Sequence, residues 1–292
     1  MKCNLCPRSC NAERNDLSNL NGYCKMPLLP KAARAALHFW EEPCISGTNG
    51  SGTVFFSGCS LGCIYCQNYE ISHNGFGKSL TPERLSENFK TLENSGAHNI
   101  NLVNPTHFAL SIRDALRIYR PNIPIVYNSG GYDRVETLKA LEGYVDMFLT
   151  DFKYFSSDKA HKYSDAYNYP DIVKSALKEC YRQIPECSFD QNGIMQKGVI
   201  VRHLLLPQAT RDAISIFDWV MENLPNAYFS LMSQYIPMYK ACEDKVIGRK
   251  ITEREYEKVI SHIIESGFEN CYIQERNSAN MQFVPDFDLS GV

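Results

Sequence analysis

Three cysteines lie at a spacing that suits a metal cluster. Cys59, Cys63 and Cys66 follow the pattern C-x3-C-x2-C, in a stretch that also contains Gly58 and Gly62. Cysteine thiolates are the usual ligands of [4Fe-4S] clusters, and clusters that only carry electrons take four of them. Three thiolates would bind such a cluster and leave one iron open to another ligand. The pattern therefore indicates a catalytic cluster.

A second group of cysteines precedes the first. Cys3, Cys6, Cys10 and Cys24 follow the pattern C-x2-C-x3-C-x13-C. Four thiolates fill the coordination sphere of a tetrahedral zinc, and they also suit a closed iron-sulfur cluster. Two disulfides are disfavoured, because the chain begins without a secretion signal and disulfides are rare in reducing compartments. Zinc and an auxiliary [4Fe-4S] cluster are therefore both candidates for these four cysteines.

Composition limits the classes of partner. The chain has 292 residues, 30 basic and 33 acidic side chains and a net charge of -3. This balance gives no polybasic surface for nucleic acid or for membrane lipids. No apolar run approaches the roughly 20 residues that a membrane helix needs. We expect a cytoplasmic protein with one main domain, whose partners are small molecules or proteins.

Short apolar runs alternate with helical patterns along the chain, and this alternation predicts an α/β protein with a parallel sheet. A capping box at Thr252 and Glu255 predicts the start of the last helix, and Gly267 its end. About seven strands are too few for a closed eight-stranded barrel, so the sheet is expected to stay partly open. The runs that predict strands are 53–57, 99–103, 123–127, 145–150, 198–206, 227–232 and 271–274.

The cysteine loop, together with Tyr65 just before its third cysteine and the strand at 53–57, resembles the radical S-adenosylmethionine superfamily. The segments 41–47 and 66–70 resemble proteins related to pyruvate formate-lyase activating enzyme, in a branch of unassigned substrate. The resemblance covers nearly the whole chain. It implies a partial (β/α)6 barrel over residues 41–292, behind a small cysteine-rich N-terminal extension over residues 1–40.

The resemblance also implies the cofactors. In this superfamily the amino and carboxylate groups of S-adenosylmethionine chelate the open iron of a [4Fe-4S] cluster. An electron from the cluster then cleaves the cofactor to a 5'-deoxyadenosyl radical, which abstracts a hydrogen atom. The protein binds and orients the reactants and excludes water.

Polar residues after the predicted strands are the candidate contacts to S-adenosylmethionine, because loops at the carboxyl ends of parallel strands form the site in such folds. Asn104 and Thr106 stand where activating enzymes carry a Gly-Gly-Glu motif, and their oxygens can accept hydrogen bonds although the carboxylate is missing. Asn128 and Ser129 follow the third strand, beside two glycines that permit close backbone approach. Tyr65, in the cysteine loop, is a further candidate contact to the cofactor.

Charged residues complete the predicted site. Asp151 and Lys153 match the Asp-x-Lys motif of activating enzymes, and two residues apart on extended chain they project to the same side. Arg202 lies in a segment like the one whose arginine contacts the cofactor, and its guanidinium offers a bidentate fork to the cofactor carboxylate. Gln234 is placed near the ribose.

The leading prediction is an oxidoreductase that resembles glycyl-radical-enzyme activating enzymes, with a glycyl-radical enzyme as its protein substrate. One alternative is radical modification of a small metabolite or peptide. Another is a non-enzymatic iron-sulfur protein for electron transfer or regulation, although that reading leaves an open iron unexplained. The catalyst also needs an electron donor such as flavodoxin or ferredoxin.

Overall fold

The computed structural model describes residues 2–15, 21–275 and 284–292. Its strands are β1 (Lys31–His38), β2 (Ser51–Phe56), β3 (Lys78–Ser79), β4 (Ile100–Val103), β5 (Ile125–Ser129), β6 (Met147–Asp151), β7 (Ser188–Phe189), β8 (Met195–Leu204), β9 (Tyr228–Met232) and β10 (Cys271–Ile273). Its α-helices are α1 (Pro43–Ser46), α2 (Tyr69–Ser72), α3 (Pro82–Asn94), α4 (Ala109–Ile118), α5 (Val135–Lys139), α6 (Ser157–Ser164), α7 (Tyr169–Gln183), α8 (Thr210–Asn223) and α9 (Glu253–Ser266), and 3-10 helices span Thr106–Phe108 and Tyr239–Glu243.

The strands form one sheet in the order β10-β9-β8-β6-β5-β4-β2-β1-β3. All strands from β2 to β10 along this order pair in parallel, whereas β1 and β3 add an antiparallel edge and β7 pairs with β8. Within the described residues the order runs from one edge to the other without closing. The prediction of an open α/β partial barrel is confirmed, and each of the seven predicted strands is present.

Side chains alternate between the two faces of the sheet, as the pleat requires. In β6, Phe148 joins the core beneath the outer helices, whereas Met147 and Leu149 lie on the opposite, inner face. The same alternation places Arg202 of β8 on the inner face, opposite to Val201. Parity along each strand therefore decides which polar side chains reach the site.

The inner face of the open sheet is covered by the chain's own segment 39–47. Cys44 and Ile45 of α1 are buried in a cluster with Val126, Leu149 and Ile200, which belong to β5, β6 and β8. Burial of apolar side chains stabilises this arrangement by roughly 1.5–3 kcal/mol for a fully buried isoleucine. The segment thus fills space that a partial barrel would leave open to water, and it brings the preceding glutamates inside.

The outer helices follow their patterns closely. Thr252 and Glu255 form the predicted capping box, and Gly267 ends α9 in the left-handed conformation at φ 70°. Helix α8 buries its apolar side chains Ala213, Ile216, Phe217 and Val220.

Strand β1 belongs to the sheet although it precedes residue 41. It pairs with β2 from Ala32 to His38 and with β3 at Lys31 and Ala32. The sheet therefore begins at Lys31, and the division at residue 40 stays a prediction about domains. None of the helices in the described residues has the length and apolar character to cross a membrane.

Candidate functional site

A cavity of about 220 Å³ opens where the central parallel strands end. The cysteine loop leaves β2 at this edge, and the ends of β4, β5, β6, β8 and β9 contribute polar side chains to the wall. Eleven of the twelve residues predicted to hold the catalytic cluster or the cofactor line this cavity: Cys59, Cys63, Tyr65, Cys66, Asn104, Asn128, Ser129, Asp151, Lys153, Arg202 and Gln234.

Thr106 is the exception. It is 1% exposed and does not line the cavity. Its hydroxyl lies 2.7 Å from Asp133 Oδ1 and 3.1 Å from Asn104 Oδ1. Asp133 also accepts hydrogen bonds from Tyr127 and Ser129. Thr106 therefore positions Asn104, and its position behind the wall does not support direct contact with a bound cofactor.

Each of the three thiols of the loop makes a hydrogen bond with a polar side chain from a different part of the chain. Asn104 Nδ2 donates to Cys59 Sγ at 3.1 Å, and the Ser164 hydroxyl donates to Cys63 Sγ at 2.9 Å. Cys66 Sγ lies 3.2 Å from the Ser72 hydroxyl. Hydrogen bonds to a cysteine sulfur stabilise its negative charge, and they raise the reduction potential of a cluster that is bound by that sulfur.

The donor set fits a cubane better than a single ion. No group of three or more His, Cys, Asp or Glu in the described ranges is arranged to hold one metal ion. In a [4Fe-4S] cluster each thiolate binds a different iron, so the sulfurs do not need to converge on one point. Three sulfurs that line one cavity beside polar side chains satisfy that requirement.

Arg202 is the centre of a charged network beneath the cysteine loop. Its Nε donates to Asp151 Oδ1 at 2.9 Å, its Nη1 to Glu41 Oε2 at 2.8 Å and its Nη2 to Asn128 Oδ1 at 2.7 Å. Lys153 Nζ donates to Asp151 Oδ2 at 2.6 Å. Three of the five guanidinium N–H donors are thereby used, which leaves two for a ligand.

The hydrogen-bonded network around Arg202 determines the protonation states of Asp151 and Lys153. Burial by itself would raise the pKa of Asp151, but the positive charges of Arg202 and Lys153 outweigh it and hold that pKa below its ordinary value. Burial would likewise lower the pKa of Lys153, and the attraction of Asp151 raises it instead. Both side chains are therefore charged at neutral pH, although both are largely buried.

A second cavity of about 460 Å³ adjoins the first and shares Asn68, Asn128, Arg202 and Gln234 with it. Glu41 and Glu42 line its inner side. Segment 41–47 was part of the family resemblance, but neither of its glutamates was predicted to belong to the site. The signal was the pair of acidic residues beside Pro43 in a segment that is otherwise apolar enough to be buried.

The N-terminal cysteine group packs directly against the cysteine loop. Arg8 Nε donates to the carbonyl oxygen of Ser60 at 2.8 Å, and Arg8 Nη2 donates to that of Ser164 at 3.2 Å. The Arg8 guanidinium also lies 3.7 Å from the ring centre of Tyr23. Because the Ser164 hydroxyl donates to Cys63 Sγ, Arg8 supports the loop that carries the three predicted cluster ligands.

Two glycines of the loop make this contact possible. A Cβ on Gly58 would lie 2.2 Å from Met26 Cγ, and Gly58 also has a left-handed φ of 79°. A Cβ on Gly62 would lie 2.5 Å from the Tyr23 hydroxyl. Gly58 is therefore needed for both its backbone conformation and its close packing, whereas Gly62 is needed only to leave space for the N-terminal segment.

The four N-terminal cysteines lie near one another. The charges of Cys3, Cys10 and Cys24 all act on Cys6, and burial, the largest effect, raises the pKa of Cys6 to about 12. Arg14 Nη1 lies 3.5 Å from Cys3 Sγ and donates to the carbonyl oxygen of His107 at 2.8 Å. The four thiols therefore lie close enough to interact, but like those of the cysteine loop they do not converge in the described structure on one point, as a single ion would require.

Comparison with known proteins agrees with this geometry. The model of the Radical SAM superfamily matches residues 53–212, more than half of the 292 residues. The uncharacterized protein MJ0674 of Methanocaldococcus jannaschii is 33% identical over 269 residues, which cover 88% of this chain and 73% of that protein.

Solved structures show the same fold at low identity. SuiB of Streptococcus suis, in a structure bound to S-adenosylmethionine, has a TM-score of 0.55 and 14% identity over 75% of this chain and 48% of SuiB. The FeFe-hydrogenase maturase HydG of Carboxydothermus hydrogenoformans has a TM-score of 0.51 and 12% identity over 77% of this chain and 53% of HydG. The chain thus spans about half the length of these solved structures.

Proposed function

The chain belongs to the radical SAM superfamily, and we propose that it cleaves S-adenosylmethionine at a [4Fe-4S] cluster held by Cys59, Cys63 and Cys66. The observation that carries this proposal is the shared cavity, in which these three thiols face Asp151, Lys153 and six further predicted cofactor contacts. A protein that only carried electrons would need neither three thiols at a cavity nor a charged pocket beside them.

When bound, the cluster supplies the electron that converts S-adenosylmethionine to methionine and a 5'-deoxyadenosyl radical, and the radical takes a hydrogen atom from the substrate. The chain's own residues bind and orient the reactants. Asn104 and Ser164 donate to two of the three sulfurs, and the Ser72 hydroxyl contacts the third. Arg202 and Lys153 offer positive charge to a carboxylate. Tyr65 closes the wall with its hydroxyl bonded to Tyr154.

Two classes of substrate remain proposals. A glycyl-radical enzyme would have to insert a backbone loop, whereas a small metabolite or a peptide side chain would fit within the adjoining cavity of about 460 Å³. Small-molecule sites usually measure about 300–1,000 Å³. The cavity volume therefore favours modification of a small metabolite or peptide over the activating-enzyme reaction, and both would use flavodoxin or ferredoxin as reductant.

The N-terminal group is proposed as a closed site of four thiolates, for zinc or for a second cluster. Cys3 and Cys6 are buried and Cys24 is half-buried. None of the four lines either cavity, so a metal there has no route to substrate through the described walls. Its proposed role is to hold Arg8 and Tyr23 against the catalytic loop.

Anaerobic cleavage of S-adenosylmethionine tests the main proposal. Reconstituted protein reduced with dithionite should release 5'-deoxyadenosine, and Cys66→Ala should release none above background. Cys242→Ala is the matched control, because this thiol is exposed and lies outside both groups. Equal release from Cys66→Ala and the control would overturn the cluster assignment.

A further inference from the structure

Glu42 forms no salt bridge among the described residues, and burial, which outweighs the positive charge of Arg202, raises the pKa of its carboxyl. It is 8% exposed, and among the described residues its Oε2 makes no hydrogen bond. Its carboxyl does not cap helix α1, which begins at the next residue. A buried acceptor without a donor costs free energy, about 1–3 kcal/mol for a neutral group and more for a charged one. Such a group in a cavity wall indicates a ligand that brings a donor.

The charges around it leave one carboxylate unmatched. Glu41 and Asp151 contact Arg202, and Asp151 also contacts Lys153, so these two carboxylates face two cations. Glu42 is the third carboxylate among the described lining residues of the two cavities. His38 adds no charge at neutral pH, because burial, with help from Arg34, lowers its pKa to about 4. Because burial raises the pKa of Glu42, a cation beside it would stabilise its ionised form and match that third negative charge.

The remaining walls suit a cation with an apolar body. Phe55 and Tyr272 line the cavity, and the half-exposed rings of Phe39 and Trp40 border it. Aromatic faces attract ammonium and guanidinium groups by about 0.5–2 kcal/mol. Asn68 Oδ1, which is buried and has no partner in the described residues, offers a second acceptor where the two cavities meet.

We propose that this second cavity binds a cationic group of the substrate, an amine or a guanidine, between the Glu42 carboxylate and the aromatic walls. The position follows from the shared lining, since the cavity opens onto the one that holds the three thiols. The inference deepens the proposed function and rests on it for the identity of the occupant as substrate. Its chemistry can be tested by binding alone.

Isothermal titration calorimetry of the reconstituted protein compares the affinities of phenethylamine and 2-phenylethanol. The two ligands share the same apolar group, and only the amine carries a positive charge. Phenethylamine should bind at least about tenfold more tightly than the alcohol. Glu42→Gln should remove that preference, and Glu42→Asp should keep part of it. Glu136→Gln is the control, because this glutamate is exposed and remote from both cavities.

Equal affinities for the amine and the alcohol would overturn the proposal, as would a preference that survives in Glu42→Gln with its unfolding temperature unchanged. Competition between S-adenosylmethionine and phenethylamine would also overturn it, since the cavity would then hold the cofactor's own ammonium. The release of 5'-deoxyadenosine is measured separately. Its loss with intact amine selectivity would count against the proposed function and leave the cation site standing.

Discussion

One cysteine group lies on the loop that follows β2, the other packs behind that loop, and the two groups differ in what surrounds their thiols. Cys59, Cys63 and Cys66 line a cavity whose opposite wall carries charged side chains. Cys3, Cys6, Cys10 and Cys24 line neither cavity and pack, through Arg8 and Tyr23, against the back of that loop. Three thiols beside a cavity suit a reaction, and four thiols without one suit a closed site.

The comparison also shows how one segment supports another. The loop needs Gly58 and Gly62 because Met26 and Tyr23 occupy the places where side chains would be. A metal bound by the N-terminal thiols would fix Arg8, and Arg8 holds the carbonyl groups beside Cys63. We therefore expect changes in the first group to affect the second gradually, and changes in the loop to abolish activity.

Metal content should separate the groups most strongly. A variant with Cys59, Cys63 and Cys66 replaced by alanine should lose the [4Fe-4S] cluster, because three of its four irons lose their thiolates. Metal that stays belongs to the other group, and about one zinc per chain would identify a tetrahedral site. Iron with sulfide would identify an auxiliary cluster. A variant free of both metals would refute the closed site.

The next largest effect is expected at Arg202. Arg202→Ala leaves Glu41 and Asp151 buried without the guanidinium, and such a loss costs about 3–5 kcal/mol of unfolding free energy. Affinity for S-adenosylmethionine should fall roughly ten- to a hundredfold if the two remaining N–H donors hold the cofactor carboxylate. Chemical denaturation and cofactor titration, with iron content measured in parallel, separate the two effects.

Asp151→Asn is the companion variant, since it keeps the shape of Asp151 and removes one negative charge. It should weaken the network less than Arg202→Ala. Wild-type cofactor affinity in both variants would show that the network is structural and that the carry-over from activating enzymes ends at the cysteine loop.

A smaller effect is expected at Arg8, which joins the two groups. Arg8→Ala removes its hydrogen bonds to Ser60 and Ser164, a loss of about 1.5–3 kcal/mol for bonds from a charged donor. The catalytic cluster should then be lost faster in air, which absorbance at visible wavelengths follows. Arg84→Ala is the control, because this arginine forms an exposed pair with Glu87 that is worth about 0–1 kcal/mol. Equal rates of cluster loss in the two variants would contradict the proposal that Arg8 supports the cysteine loop.

The smallest effect is expected from the sulfur hydrogen bonds. Asn104→Ala removes one of the two donors to Cys59 Sγ and leaves the backbone N–H of Leu61. Negative charge on that sulfur is then less stabilised, so the midpoint potential of the bound cluster should shift to a more negative value. Electron paramagnetic resonance during a redox titration measures the shift. Asn122→Ala is the control, since this asparagine contacts Glu93 at the surface. An unchanged midpoint potential in both variants would show that the Asn104 hydrogen bond does not tune the cluster.

Several parts of the site were predictable from local sequence. The spacing of Cys59, Cys63 and Cys66 needs only one loop, and the capping box at Thr252 needs only one helix turn. Strand parity put Asp151 and Lys153 on one side, and the structure pairs them at 2.6 Å. These features depend on neighbours within a few residues, so the order of residue types determines them.

Other parts depended on which faces meet across the fold. Glu41 reaches Arg202 over 161 residues, and Arg8 reaches Ser164 over 156. Thr106 appeared equivalent to Asn104 in the sequence, yet the 3-10 turn buries it against Asp133. No local pattern encodes such contacts, because they follow from packing α1 into the open sheet and the N-terminal segment behind the loop. The sequence by itself determined the cluster loop, and only the tertiary structure decided which charges face it.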